Sequence, residues 1–263
     1  MALLLIFEDL YLTVVLIREK VNAHGATGIF RPRHKGGQMA ISVKRTGQLG
    51  ASSVKFLGYG PAGHGKTRAI ATLPTPITLS AEAGLLSIKE FDLPYVEIST
   101  LEDLYDAYRW VSSSDEAKGF ESVALDSISE IAEVLLSAEK KVQVGGKARD
   151  PRQAYGAMQD RMGDLIRAFR DLPGKHVYFS AKLEKSADEL GAISYAPSMP
   201  GQKFAQQLPY FFDEVFAFRK EAGHFALMTS TDGLWSAKDR SGRLDLWEAP
   251  DLGAIIRKIA GQA

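Results

Sequence analysis

The chain has 263 residues, 45% of them hydrophobic and 24% charged, enough apolar material for one large α/β domain or two small ones. Its 32 lysines and arginines balance 32 aspartates and glutamates, so no global field draws it to nucleic acid or an anionic membrane, and polyanion binding has to come from local patches. The lack of cysteine excludes disulfides, thiolate zinc sites and cysteine nucleophiles, and no stretch is apolar and long enough to span a bilayer as a helix; a cytoplasmic protein without membrane partners is expected.

Residues 1–38 combine two apolar runs (3–7 and 10–17) with a basic, turn-rich piece at 31–37, and read as an N-terminal leader with little fixed structure. The alternative is that its apolar part docks on a neighbouring subunit. Residues 39–263 then form the working domain. Within it, Val54, Phe56, Leu57 and Tyr59 predict a strand and residues 67–73 predict a helix. Between them, Gly60 to Thr67 fits G-x-x-x-x-G-K-[ST] at every fixed position. Small residues there let successive backbone N–H groups curl around a phosphate, a lysine reaches the β- and γ-phosphates, and a hydroxyl ligates Mg²⁺. The bland reading of such a stretch is a flexible glycine-rich turn, which the strand–loop–helix setting disfavours. ATP and Mg²⁺ are therefore the expected cofactors. The nucleotide-binding set is Gly60, Pro61, Ala62, Gly63, His64, Gly65, Lys66, Thr67 and Arg68, with the His64 imidazole at a variable position that needs no role of its own.

Further strands are predicted at 77–80 and 95–98, followed by a helix capped by Ser99 or Thr100 with Leu101, Leu104, Tyr105, Tyr108 and Val111 at helical spacing. A short apolar strand, 122–126, ends in Asp126. In a phosphate-loop protein that placement puts a carboxylate near the Mg²⁺, whereas the bland reading is a helix N-cap. Glu82, just past a strand end, is a candidate for orienting or deprotonating water, set against a solvated loop glutamate. A helix follows Asp126, then a basic, loop-like interruption from 140 to 152 carrying Lys140, Lys141, Lys147, Arg149 and Arg152. Next come a helix with Met158, Met162, Leu165, Ile166 and Phe169 inward, a buried strand at 176–180, and a polar loop from 184 to 200. Strands at 214–218, 224–230 and 234–237 and a helix at 252–259 close the chain. Strands alternating with helices predict an α/β fold with a mostly parallel sheet flanked by helices and C-terminal strands partly antiparallel. Trp110, Trp235 and Trp247 read as packing or rim residues.

Gly60 to Thr67, then Leu79-Ser80-Ala81-Glu82, then Val123-Ala124-Leu125-Asp126-Ser127 resemble, in order, the RecA/RadA-type recombinase core over residues 54–245. Gly58 to Gly63, Ser80 to Leu85 and Ala237 to Gly242 are most similar to the small phage-encoded RecA-like single-strand annealing proteins (the Sak four group). The resemblance implies a RecA-like P-loop ATPase that binds single-stranded DNA and promotes annealing or strand pairing as a ring or filament, in the host cytoplasm if phage-encoded, with a single-strand-binding protein as a further candidate partner. By the same resemblance Glu82 activates water, Asp126 and Thr67 face the metal, and Lys182 stands where the family has a γ-phosphate-sensing glutamine. Lys238 and Arg240 match paired cations inserted into a neighbour's site, and residues 140–152 and 184–200 match two DNA-facing loops, the first with Tyr155 as a stacking platform. A phosphotransferase on the same loop and a nucleotide-gated adaptor or loader without significant catalysis remain the alternatives.

Overall fold

The computed structural model describes residues 53–82, 84–144 and 147–262. The leader, residues 1–38, and the start of the following domain lie outside the described residues, as do Gly145, Gly146 and the Lys147 side chain. Six parallel strands run in the spatial order β3 (Tyr95–Glu97), β2 (Pro76–Ser80), β4 (Ser122–Asp126), β7 (His176–Ala187), β1 (Lys55–Gly60) and β9 (Glu214–Glu221). Beyond β9 the sheet turns antiparallel through β10 (His224–Met228), β11 (Lys238–Asp239) and β12 (Trp247–Glu248). The expected α/β class and sheet composition are thus present.

β1 lies mid-sheet with every residue buried, so both of its faces need cover. Leu57 and Tyr59 face a core shared with Leu79, Leu125 and Phe179. Over that core lie α2 (Leu101–Ser113), α3 (Ile128–Lys141) and α4 (Pro151–Arg170) through Leu104, Ile131, Leu135, Met158, Ile166 and Phe169. Phe56 faces the other core, where α1 (Lys66–Ile70) and α6 (Leu252–Ala260) contribute Ile70, Leu252 and Ile255 over Tyr178, Phe216 and Phe218. Gly58 has a steric reason: a Cβ there would sit 2.6 Å from the Phe218 ring and 2.7 Å from the Tyr178 hydroxyl. Its absence leaves room for Tyr178 to reach under α1 and donate to the Lys66 carbonyl at 3.1 Å, which ties the phosphate-loop helix to the sheet.

Three expected segments differ. Residues 184–200 are no simple loop: β7 runs on to Ala187 and returns as β8 (Ile193–Pro197), a hairpin whose backbone pairing satisfies groups that polar composition had suggested were solvated. Residues 140–152 are the last turn of α3, a small hairpin of β5 (Gln143–Val144) and β6 (Lys147–Ala148), and the start of α4, whose N-cap is Asp150. Residues 234–237 form no strand; Trp235 makes a single bridge to Tyr195, and pairing with β9 starts only at Lys238. Helices at Leu85–Phe91 (3-10), Gln202–Gln207 (α5) and Leu208–Phe211 (3-10) add to those expected. Among the described residues no helix is long and apolar enough to cross a membrane.

Candidate nucleotide site

Parallel strands gather their carboxyl ends on one edge, where the loops leaving β1 and β2, the last residue of β4 and the middle of the long β7 bring the candidate residues together. Gly63 and Gly65 both have positive φ, 72° and 89°, so the turn from β1 into α1 uses a left-handed backbone that favours glycine. A Cβ at either would meet nothing within 4 Å, so it is the backbone conformation and not crowding that calls for glycine at both positions. The Lys66 ammonium curls back over this loop, donating to the Gly60 and Pro61 carbonyls at 2.8 and 2.9 Å. Burial pulls its pKa below the usual lysine range, opposed by the Asp126 and Glu82 carboxylates.

Asp126 ends β4 almost fully buried. It accepts a hydrogen bond from the Thr67 hydroxyl at 2.8 Å and another from the Ser180 hydroxyl. Burial raises its pKa, and those hydroxyls work against the rise. Thr67 and Asp126 present the hard oxygen donors that Mg²⁺ prefers. Among the described residues no group of three or more His, Cys, Asp or Glu gathers to hold a metal; a Mg²⁺ held by one carboxylate and one hydroxyl ordinarily fills its shell with phosphate oxygens and water. The residues fit a nucleotide-borne Mg²⁺.

Glu82 follows β2, and its backbone N–H bonds to the Asp126 carbonyl at 3.3 Å, fixing the two acidic residues side by side. The Ser127 hydroxyl donates to Glu82 Oε1 at 2.5 Å, and the Lys182 ammonium lies 3.9 Å from the same oxygen. The Glu82 side chain is 32% exposed and borders a groove of ≈ 610 Å³ between the Leu85–Phe91 helix and the edge strand β3, so water reaches it. Lys182, level with Gly60 in the β1–β7 register, ion-pairs with Glu130. The sequence assigned no role to Ser129, Glu130 or Ser180 and named Ser127 only within the motif that ends β4; Ser127-x-x-Glu130 has the form of a capping box, and that signal was available.

A family profile described as AAA domain matches residues 52–241. The chain belongs to the AAA domain family. No curated protein matches the chain. Among solved structures, it is similar to a prototypical ATPase from the type III secretion system of pathogenic bacteria, at 13% identity and a TM-score of 0.44, covering 72% of this chain and 58% of that one. It is also similar to the flagellar accessory protein FlaH from Methanocaldococcus jannaschii, at 10% identity and a TM-score of 0.36, covering 66% of this chain and 75% of that one. The chain therefore spans little more than half the length of the secretion ATPase.

Several side chains of this AAA domain stand elsewhere than expected. The Arg68 guanidinium is engaged by the 3-10 helix, 3.4 Å from the Ser87 carbonyl, 2.8 Å from Glu90 and over the Phe91 ring. His64 packs edge-on against Phe225 of β10. The Lys238 ammonium points inward to the Pro209 and Phe212 carbonyls at 2.7 and 2.5 Å, so it is a brace for the Leu208–Phe211 turn and not an arm toward a neighbour. Arg240 is half exposed and pairs with Asp213 at 2.7 Å, beside the first residue of β1. Five residues of strand separate that edge from the phosphate loop, about 16 Å, so Arg240 cannot serve its own site. Arg149 joins Arg161 on the buried Glu139 carboxylate, and its charge ties the β5–β6 hairpin to α3 and α4 in place of facing solvent.

Next to Arg240, Glu214 is buried with Oε2 unpartnered. Burial, then the Asp239 carboxylate, push its pKa from 4.5 up to about 8. The folded chain thus holds a proton that the unfolded chain releases between pH 4.5 and 8, and stability falls as pH rises through that window. Glu214→Gln is expected to flatten that slope, read as urea midpoints at pH 5.5, 6.5 and 7.5. Lys55, lowered to about 8 by burial, acts only above this range and with the opposite sign.

Proposed function

We propose that this protein is an ATPase that binds single-stranded DNA and acts on it, by annealing or strand pairing, as an oligomer. The observation that carries the hydrolytic half is the convergence of Lys66, Thr67, Asp126 and Glu82, from three separate segments, around one phosphate loop. In this reading the loop N–H groups and Lys66 bind the phosphates, Thr67 and Asp126 hold Mg²⁺, and Glu82, aimed by Ser127, takes a proton from the attacking water. Mg²⁺, when bound, neutralises developing phosphate charge.

The DNA half is supported by placement and charge, and the annealing activity by the resemblance to RecA-like annealing proteins. α4 ends five residues before β7 begins at the amino edge, and its twenty residues span about 30 Å. Its start, with the β5–β6 hairpin, therefore stands beyond the carboxyl edge, on the phosphate-loop side. Lys140, Lys141 and Arg152 are exposed there, and the Lys140 ammonium sits 5.5 Å over the ring of exposed Tyr155, a cation beside a stacking surface. Arg240, half exposed on the opposite edge and out of reach of its own phosphate loop, is in this reading offered to the site of a neighbouring copy, which suits an oligomer.

The test is single-stranded DNA affinity against salt. Replacing Lys140, Lys141 and Arg152 together with glutamine should weaken binding and reduce the log–log salt slope by about 2, at roughly 0.7 for each phosphate left without its cation. Arg149→Gln should act through hairpin stability instead. An unchanged slope in the triple variant removes this surface. Release of free phosphate, not a phosphorylated acceptor, separates hydrolysis from phosphotransfer.

A further inference from the structure

Glu130 spends its carboxylate in an unusual way for its position. It is the third residue of α3, whose N-cap Ser127 accepts from the Glu130 N–H at 3.4 Å. In a capping box the acid at this position turns back to the N-cap backbone. α2 of the same chain does so: Asp103 accepts from the Thr100 N–H at 2.7 Å while Thr100 accepts from Asp103. The Glu130 carboxylate instead crosses to β7 and binds the Lys182 ammonium, which also lies 3.9 Å from Glu82. The backbone beneath is fixed, because the Lys182 N–H donates to the buried Ser129 hydroxyl at 3.0 Å, and that hydroxyl donates to the Ser198 carbonyl at 2.8 Å. Only the Lys182 side chain, about half exposed, is free to change partner.

We propose that Glu130 is a specificity-determining residue that competes with a terminal phosphate for the Lys182 ammonium and so sets the preference of the site for triphosphate over diphosphate. The inference rests on reading the phosphate loop as an ATP site. A diphosphate is held by the loop and Lys66 and leaves Lys182 on Glu130. A third phosphate, on the side where Glu82 and Lys182 stand, offers the ammonium a more highly charged partner, and binding it means breaking the pair with Glu130. The triphosphate affinity is thus reduced by the fraction of molecules in which Lys182 is engaged, while the diphosphate affinity is not. Glu130 lowers the reward for a γ-phosphate without touching nucleotide.

Equilibrium binding of Mg-ADP and Mg-ATPγS tests this in the full-length protein, Glu130→Gln, Lys182→Gln and the double variant. Glu130→Gln is expected to bind ATPγS about three- to fivefold more tightly, the scale of a partly exposed ion pair, with ADP affinity unchanged. Lys182→Gln should weaken ATPγS alone, and adding Glu130→Gln to it should change nothing further. A purely structural role for Glu130 predicts equal shifts for both nucleotides. Equal shifts, an unaltered ratio, or tightening that survives in the Lys182→Gln background would each overturn the proposal. Glu130→Asp, shorter by one methylene, should fall between parent and Glu130→Gln, and gives a second reading if the glutamine variant folds poorly. Lys66→Ala separates the two levels. If it loses both nucleotides while the Glu130 ratio stays fixed, only this inference fails; if the parent binds neither nucleotide, the ATP reading fails as well.

Discussion

Lys66→Ala is expected to lower ATP affinity by a factor of about 100 or more while leaving the fold intact. Among the described residues the ammonium makes two hydrogen bonds, both to carbonyls of its own loop, and the side chain belongs to neither core. It is held over the concavity where phosphates would lie, and burial already costs it part of its proton affinity. A phosphate anion would repay that cost through charge-assisted hydrogen bonds, each worth about 1.5–3 kcal/mol. Two such bonds set the hundredfold scale. Lys66→Arg should fail nearly as badly, because a planar fork cannot fold back into a loop that fits a point charge. Calorimetry measures the affinity, and thermal unfolding gives an independent check. MgATP at a hundred times its dissociation constant should stabilise the parent by about 2.7 kcal/mol, a shift that Lys66→Ala should lack. Retained affinity within threefold would mean that the loop does not grip phosphate as described.

The fold was legible where the signal is local. β1, the loop and α1 follow from a glycine pattern between an apolar strand and a helix, and Asp126 from four buried residues followed by a carboxylate. The α2 cap was equally visible, since Thr100 and Asp103 lie three residues apart. What stayed hidden depends on partners far along the chain. The polar run 184–200 reads as a loop unless its hairpin pairing is known, because alternation on an exposed ribbon buries little. Arg149 looked like a phosphate ligand because nothing in its neighbourhood announces that Glu139, ten residues earlier, is buried and in need of two cations. Lys238 looked free for the same reason: its carbonyl partners lie 26 and 29 residues away. At the site, Glu82 and Asp126 could each be found from a strand end. That they are joined through backbone hydrogen bonds, and that Ser127 aims one of them, comes only from parallel strands set edge to edge.

Glu82→Gln is expected to leave ATP binding within about threefold of the parent and to lower turnover by roughly 10²- to 10⁴-fold, the range that a positioned general base contributes. The substitution keeps size and the acceptor oxygen, so the Ser127 hydroxyl can still donate to it, and the Glu82 N–H to the Asp126 carbonyl is untouched. What it removes is the ability to accept a proton from water, together with the negative charge that Lys182 faces at 3.9 Å. Phosphate release and equilibrium nucleotide binding, run on the same preparation, separate the two effects; parental turnover in the variant would take the base assignment away from Glu82. Two companions keep the result specific. Asp126→Asn acts on the metal side, so its loss of turnover should be partly recovered at high Mg²⁺, whereas that of Glu82→Gln should not. Ser127→Ala leaves the base present but unaimed and should cost less than Glu82→Gln, about tenfold. That order, with the base variant insensitive to metal and the aiming variant milder, follows only if Glu82 meets the water directly and Ser127 acts through it.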